Sequence, residues 1–578
     1  MNPLLGIDFG TTTTAAALII GRDIAVVPHA GDALSIPSVV SFTPSSAGGR
    51  ILVGTEAVAN ARHPERTITA VKRLLGRKLE APEVRHQRQE APYELVMAKN
   101  GDVRVRVGRR HLSPPDIAGY VFDAVRAAAT RLAGQPVEEA VVAMPADFND
   151  LQRQAVRDAA RIGGLKVVAA ITGPAAVALG AGLYPLPRGA DKKDHRVLVY
   201  DLGGGSFDVA ALVVREEGVE VLASGGDAFL GGEDFDQRIV SFVCEEFLRA
   251  GGSDLRRERL VLPRLRVAAE RAKLALSTED EVQIRVPELA ARLPEGVRLT
   301  RERLESLTQD LIDRTVWPCE SVLRDAHWSL EEVDALVMVG GQTNMPRVRA
   351  HLADWLGKAP LDLPSPPEAL VALGAARQGL ALDAAAAAGG RGRKRKVSMP
   401  VVEATCLSLG VESAGGVVAR LIPKGTPLPA KASQGLTTST DNQAHVVVHL
   451  VQGEREMAAD NDSIARLHIG PLGPAPRGTP QIEIEIETDG GGLPRAVARD
   501  VTTGEPVGVR VRPSGGLTEA ELTALSAIHA GVPAPLPPAE SAGSAGAATG
   551  DEAGAPAAAM VALSSGPVPL VDPSEHRG

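Results

Sequence analysis

At 578 residues and 60.2 kDa the chain is longer than one hydrophobic core supports, so two or more domains are expected. A net charge of -9 with a pI near 5.8 excludes a broad electrostatic attraction to nucleic acid or anionic membrane. The three cysteines, Cys244, Cys319 and Cys406, form no CxxC pair and no Cys/His cluster, which argues against a disulfide framework or a zinc finger. The apolar start at Leu4-Leu5 lacks a preceding basic region and runs into Asp8, and no uncharged apolar run approaches the ~20 residues that span a bilayer. A soluble, cytoplasmic protein is expected, with neither nucleic acid nor membrane as partner.

From Met1 to about Asp383, strand-like runs such as Val197-Leu198-Val199-Tyr200 alternate with helical stretches such as Leu151 to Ile162, an α/β pattern. Near its start, Leu4-Leu5 leads through Gly6-Ile7-Asp8-Phe9-Gly10 into Thr11-Thr12-Thr13-Thr14 and a second apolar run, Ala15 to Ile20. The device returns where Val197 to Tyr200 leads through Asp201-Leu202-Gly203-Gly204-Gly205-Ser206-Phe207-Asp208 into Val209 to Val214. A third apolar run, Ala335 to Val339, ends in Gly340-Gly341-Gln342-Thr343-Asn344-Met345-Pro346. Residues 384–402 hold an alanine run, a Gly-Gly pair, the basic cluster Arg391 to Lys396 and Ser398-Met399-Pro400, a composition that predicts a linker. The basic cluster reads as solvated linker rather than as a nucleic-acid or lipid contact. From Glu403 to Pro513, short alternating runs broken by Gly, Pro and Asp-Asn turns predict a β-sandwich. Ile482, Ile484 and Ile486 share one face there and Glu483, Glu485 and Glu487 the other, so one face is buried and one wet. Leu517 to His529 predicts a short helix within the last segment, 514–578, whose Pro, Ala, Gly and Ser content from about Ala530 predicts no ordered structure.

The two Asp-opened turns carry a chemistry. Glycines let backbone N–H groups approach phosphate oxygens, hydroxyls add donors, and the aspartates suit magnesium held through water, which magnesium sheds reluctantly. One such turn is more often an ordinary hairpin; two copies, each opening an α/β half, are much stronger. Neither a P-loop nor a dinucleotide fingerprint is present.

Asp8 to Thr12, Asp201 to Asp208 and the Gly340-Gly341 turn resemble the two phosphate loops and the adenosine loop of the actin, sugar-kinase and heat-shock ATPase superfamily. Within it the chain is similar to the seventy-kilodalton heat-shock chaperones of the DnaK type. Ala70 to Arg77, Pro145-Ala146-Asp147-Phe148-Asn149-Asp150, Leu230 to Asp236 and Glu270 to Ser277 carry the similarity, and Leu407 to Gly410, Asp441-Asn442-Gln443, Gln452 to Arg455, Ala458 to Asn461 and Pro474 to Gly478 extend it past the linker. The resemblance implies an α/β, actin-like two-lobed ATPase domain of duplicated ribonuclease-H-like halves over residues 1–383, a linker at 384–402 and a β-sandwich peptide-binding domain over 403–513. It implies ATP or ADP with Mg2+ as cofactors. Gly10, Thr11, Thr12, Thr13, Gly203, Gly204, Gly205 and Ser206 would take the phosphates, while Asp8, Asp201 and Asp208 would organise magnesium and water. Lys72 would bring positive charge to the transferring phosphoryl group, with Asp8, Asp201 and Ser206 completing the catalytic set. Glu270, Lys273 and Ser277, at helical spacings of three and four, would hold ribose and base beside Gly340, Gly341, Gln342 and Asn344. Without the resemblance that trio reads equally well as an exposed ion-paired face.

In the sandwich, the resemblance implies a peptide groove lined by Val411, Leu436, Val446, Val448 and Ile482, with Ala414 and Ser439 where bulkier residues often arch over the peptide. Each apolar position also fits plain core packing. The helical lid of the family is far longer than Leu517 to His529, so no full lid is expected. Three departures bear on activity. Thr172-Gly173-Pro174 stands where the family has Asn-Glu-Pro, so a carboxylate that helps order the magnesium site is missing at Gly173, and a glutamate restored there is expected to raise hydrolysis. Asn344 replaces an arginine that stacks on adenine, and Met399-Pro400-Val401-Val402-Glu403 replaces a leucine-rich run ending in aspartate. Asp147 also replaces the tyrosine usual in the segment by which J-domain partners dock. The leading expectation is an ATP-regulated chaperone, a weak ATPase that holds extended or unfolded client peptides, with a J-domain co-chaperone and a nucleotide-exchange factor as possible partners. The alternative is a non-hydrolysing, nucleotide-gated scaffold for one client; a small-molecule kinase is disfavoured because residues 403–513 resemble a peptide-binding domain.

Overall fold

Within the alternation of the first 383 residues, the two largest sheets are built on one plan, and three smaller sheets of two or three strands accompany them. The computed structural model describes residues 3–389, 401–531 and 560–561, apart from 22, 30–32, 45–48, 60–62, 185–193, 259–260, 291, 364 and 490. In the first sheet the strand order is Lys166–Thr172, Glu139–Met144, Leu4–Phe9, Thr13–Ile20, Asp23–Val26, with Ser35–Pro37 also on Thr13–Ile20. In the second it is Ala335–Val339, His195–Leu202, Phe207–Val214, Val219–Asp227, Val401–Val402. Leu4–Phe9 runs antiparallel to Thr13–Ile20 and parallel to Glu139–Met144, as His195–Leu202 runs antiparallel to Phe207–Val214 and parallel to Ala335–Val339. Asp8 and Asp201 therefore occupy matching strand ends. These strands are apolar on both faces because helices cover both. Between the sheets, the helices Gly173–Gly180 and Pro367–Gly389 cross at small residues: a Cβ added to Gly374 would lie 1.7 Å from the Ala176 carbonyl oxygen. A core of Leu4, Ala17, Val199, Leu212, Ala176 and Ala375 joins the halves there.

Residues 403–513, with Met560–Val561 added at one edge, form two facing sheets. One has the order Val418–Ile422, Leu409–Glu412, Val446–Gln452, Asp462–Ile469, Val509–Pro513; the other Pro506–Val507, Arg495–Asp500, Gln481–Thr488, Ala430–Thr437, Met560–Val561. The alternation in Gln481–Thr488 holds: Ile482, Ile484 and Ile486 are buried, and on the wet face Lys431 bridges Glu485 and Glu487 at 3.2 and 3.3 Å.

The sandwich leans on the helix Asp150–Ile162. Leu151 at its start is buried among the sandwich core residues. Beside it, Asn149 Nδ2 donates to Asp462 Oδ2 at 2.8 Å, and Gln452 Oε1 accepts from the Asp150 amide at 2.9 Å. The segment read as linker contains a strand at its end: Val401–Val402 adds in parallel to Val219–Asp227, with Val401 buried. Two valines are too short a run to signal a strand without the edge that receives them. The basic cluster Arg391 to Lys396 lies outside the described residues.

The short helix forms as Glu519–His529, capped by Thr518 with Glu521. It packs on the helices Pro114–Ala133 and Asp150–Ile162, where His529 Nε2 lies 3.0 Å from Asp116 Oδ1 and the His529 ring stacks on Tyr120 at 3.8 Å. Of the tail read as lacking structure, residues 532–559 and 562–578 lie outside the described residues, while Met560–Val561 pairs antiparallel with Ala430–Thr437, Val561 opposite Leu436. Among the described residues no helix is long and apolar enough to cross a membrane.

Leu151→Asp is expected to undock the sandwich. Losing a buried leucine contact removes roughly 1.5 to 3 kcal/mol, more than the ~1.4 kcal/mol of a tenfold shift. Tryptic cleavage at the basic cluster should accelerate at least ~tenfold; an unchanged rate would show that docking does not depend on this contact.

Candidate nucleotide site

Both Asp-opened turns close in the same way. The Gly10 amide donates to the Thr13 carbonyl at 3.0 Å, and the Gly203 amide donates to the Ser206 carbonyl at 3.0 Å. The turns face each other: a Cβ on Gly204 would lie 2.4 Å from the Thr12 side chain, and one on Gly205 would lie 2.6 Å from that of Thr11. Gly10, Thr11, Thr12, Gly203, Gly204, Gly205 and Ser206 are thus brought together, while Thr13 is exposed where it opens the returning strand. Ser206 Oγ donates to Asp208 Oδ2 at 3.3 Å.

The third turn meets the second. Gly340 has φ +85°, and a Cβ there would lie 2.5 Å from Asp201 Oδ1, so only glycine permits the approach. In the following turn Gly341–Asn344, Gln342 is buried and Asn344 is exposed. Lys273 is buried, donating to the Gly232 carbonyl at 2.8 Å and pairing with Asp236 Oδ1 at 3.0 Å. A Cβ on Gly232 would lie 2.7 Å from Lys273 Nζ and 3.1 Å from Gln342 Oε1, which places these two side chains on one wall. Glu270 is exposed on the same helix as Lys273, and Ser277 is half-buried just beyond that helix's end.

Lys72 sits on a strained support. The turn Val71–Leu74 begins after Ala70, which has φ 52°, a left-handed conformation that costs a non-glycine residue roughly 1–2 kcal/mol. A small network offsets it: Gln87 Nε2 donates to Tyr93 Oη at 2.8 Å, and Tyr93 Oη donates to the Thr69 carbonyl at 2.7 Å. Lys72 Nζ lies 5.9 Å from the centre of the Phe148 ring. Arg73 crosses from this turn to the other half of the site, donating through Nη2 to the Gly205 carbonyl at 2.6 Å and pairing through Nη1 with Glu233 at 3.0 Å.

The electrostatics are dominated by carboxylates. Burial pushes Asp8 up from the ordinary range, and burial followed by the charge of Asp8 pushes Asp201 up to about 7. Burial, then Asp147, then Asp201 raise Asp208 well above its ordinary value. Asp147 is raised too, by burial among its neighbours first, although the residue keeps solvent-exposed surface. Lys72 opposes all four shifts. Among the described residues no three His, Cys, Asp or Glu side chains converge to bind a metal directly. Aspartates around one lysine fit a dication that keeps its water shell. Asp147 and Arg73 carry no site role in the sequence reading; Arg73 follows Lys72 directly, and Asp147 stands out there only as a departure at a docking segment.

At the position of the missing glutamate, a Cβ added to Gly173 meets nothing within 4 Å. The neighbouring Thr172 amide donates to the Glu403 carboxylate, which arrives from the sandwich side of the strand Val401–Val402. Arg153 donates to the Phe148 carbonyl at 3.0 Å and lies 3.1 Å from Cys406 Sγ, tying the segment that carries Asp147 to the same crossing.

In the sandwich, Val411, Leu436, Val446, Val448 and Ile482 are all buried in one core cluster, as plain packing also requires. Ala414 opens the turn Ala414–Gly416, and Ser439 is held by Gln443 Oε1, which accepts from its amide at 2.9 Å and its hydroxyl at 3.2 Å.

A family model described as Hsp70 protein matches residues 4–530, nearly the whole chain. The chain belongs to the Hsp70 family. It is a chaperone of the Hsp70 type, a family built from a two-lobed actin-like ATPase and a β-sandwich, whose members in general bind ATP or ADP with Mg2+.

The raised carboxylates set a pH dependence. Asp201 moves from 3.8 to about 7 on folding, so its protonated form is favoured in the fold. The stability this contributes is full below about pH 4 and is lost as pH rises through about 7. Asp150, Asp158 and Asp236, each raised to about 6, add in the same direction. In EDTA without nucleotide, the melting temperature is expected to fall from pH 5 to pH 8, and Asp201→Asn to flatten part of the fall; a slope identical to the parent's would mean that cleft water screens Asp201.

Proposed function

We propose that the chain binds extended apolar peptide under the control of Mg-ATP binding and slow hydrolysis. The observation that carries this reading is the pair of facing turns at Thr11-Thr12 and Gly204-Gly205, entered by strands that carry Asp8 and Asp201 at their penultimate positions, with Lys72 within electrostatic reach of both aspartates. Gly10, Thr11, Thr12, Gly203, Gly204, Gly205 and Ser206 take the phosphate oxygens through amides and hydroxyls. Asp8, Asp201 and Asp208 hold hydrated magnesium, which when bound offsets phosphate charge. Lys72 supplies positive charge where the phosphoryl group is transferred. The nucleoside lies against Gly340, Gly341 and Gln342, and Lys273, already fixed by Asp236, acts as a positioned wall with Glu270, Ser277 and Asn344 at its margin.

Regulation by nucleotide is supported by the crossing at Glu403, Arg153 and Cys406, which joins the nucleotide domain (1–383) to the sandwich (403–513) through a linker (384–402). The groove reading for Val411, Ala414, Leu436, Ser439, Val446, Val448 and Ile482 rests on the family. The helix Glu519–His529 packs on the nucleotide domain, which supports a groove without a full lid and fast peptide exchange. A J-domain partner and an exchange factor follow from the family alone. Gly173 favours a second reading, a nucleotide-gated scaffold that hydrolyses little.

A single-turnover ATP assay with and without a panel of leucine-rich peptides separates the two: peptide-stimulated turnover supports the chaperone cycle, and binding without turnover supports the scaffold. Lys72→Ala is expected to keep ATP affinity within about tenfold while slowing turnover, because the lysine acts on charge that develops in transfer. Asp8→Ala should weaken magnesium-dependent binding more; the reverse order would overturn these roles. Stopped-flow release of a fluorescent leucine-rich peptide in ADP is expected to be fast, since one apolar pocket contributes roughly 1.5 to 3 kcal/mol.

A further inference from the structure

We infer that Asp147 is a working carboxylate of the nucleotide site, orienting the attacking water in place of the carboxylate that position 173 lacks. The inference rests on the nucleotide-site reading above. Asp147 lines the same cleft as Thr11, Lys72, Ser206 and Asp208, and its side chain is open to that cleft. Of the charges acting on Asp208, Asp147 is the strongest, ahead of Asp201. It follows the strand Glu139–Met144, which pairs in parallel with the strand carrying Asp8, so both carboxylates emerge from the same carboxyl edge of one sheet, where ligands of open α/β sheets bind.

The support around it is rigid. Arg153 holds the Phe148 carbonyl at 3.0 Å and approaches that of Pro145 at 3.5 Å, bracketing Asp147 from both sides. Asn149 and Gln152 then close a reciprocal cap, with Asn149 Oδ1 accepting from the Gln152 amide at 2.9 Å and Gln152 Oε1 accepting from the Asn149 amide at 3.1 Å. A backbone so held fixes the point from which the carboxylate projects, which is the share of preorganisation that the main chain contributes to orienting a water. The competing role is a structural ion pair with Arg77, the cation that acts most strongly on Asp147; Arg77 also pairs with Glu83 at 3.5 Å.

In the step assigned to it, Asp147 accepts a hydrogen bond from the attacking water. The water oxygen forms the new bond to the γ-phosphorus as the bond from that phosphorus to the β,γ-bridging oxygen breaks. That electron pair leaves on ADP, and the water's proton passes to the carboxylate and on to solvent at the cleft mouth. Because a side chain at 173 has open space, the assignment makes a reciprocal claim. In place of the rise in hydrolysis expected from the sequence alone, Gly173→Glu by itself should change turnover little, since the role is filled, yet should restore turnover lost in Asp147→Asn.

The test uses the full chain in three forms, Asp147→Asn, Gly173→Glu and the double variant, with single-turnover hydrolysis, the magnesium dependence of ATP binding and the melting temperature in EDTA. The inference expects about a ten- to hundredfold slower turnover in Asp147→Asn, recovery to within about threefold in the double variant, and a melting temperature for Asp147→Asn equal to or above the parent's, because a like charge beside Asp208 is removed. A lowered melting temperature with unchanged turnover overturns it in favour of the ion pair with Arg77. Slow turnover without rescue by Gly173→Glu also overturns it. A parent chain that binds no Mg-ATP overturns the nucleotide-site reading and this inference together, whereas normal binding and turnover in both the parent and Asp147→Asn overturn this inference alone.

Discussion

Crowded negative charge is the constraint on which the rest of the structure depends. Asp8, Asp147, Asp201 and Asp208 act on one cleft with Lys72 as the cation opposing them all. A folded chain tolerates such a cluster only where the backbone is fixed by forces that do not depend on it. Here that support comes from doubly covered sheets and from glycines at which any side chain would collide with the opposite turn. The strained Ala70, held by Gln87 and Tyr93, shows the same logic at the lysine: packing elsewhere maintains a local conformation that the residue alone would leave.

The duplication explains why the site lies between halves rather than within one. Each half supplies a strand, an aspartate and a turn, and neither turn alone surrounds a phosphate. Arg73 bridges them, bonded to Gly205 and paired with Glu233. Relative motion of the halves therefore changes the distance between the two sets of donors, while the helix crossing at Ala176 and Gly374 is packed too closely to slide freely. The sandwich enters the same mechanics through Leu151, which packs in its core, through Glu403, which accepts from the Thr172 amide next to Gly173, and through Arg153, which donates to the Phe148 carbonyl next to Asp147.

Much of this was legible before any coordinates. The paired Asp-opened turns, the third glycine turn and the isoleucine–glutamate alternation in Gln481–Thr488 are local patterns, and local patterns survive folding. What was not legible depends on non-local geometry. Val401–Val402 is a strand only because Val219–Asp227 offers an edge. Lys273 is a buried, committed ion pair because Asp236 and Gly232 meet it from another helix, which its spacing to Glu270 and Ser277 does not reveal. Asp147 looked like a lost aromatic at a docking surface, and only the cleft shows that its carboxylate shares space with Lys72 and Asp208.

The pairing of Met560–Val561 with Ala430–Thr437 bears on solubility. An unpaired sheet edge offers a row of backbone donors and acceptors to any extended chain, including another copy of the same protein, and is a template for aggregation. Two residues of the chain's own tail cover the edge at Leu436 and Thr437. So short a cover occupies the edge against casual self-association while leaving few enough backbone bonds for a longer extended segment to displace it.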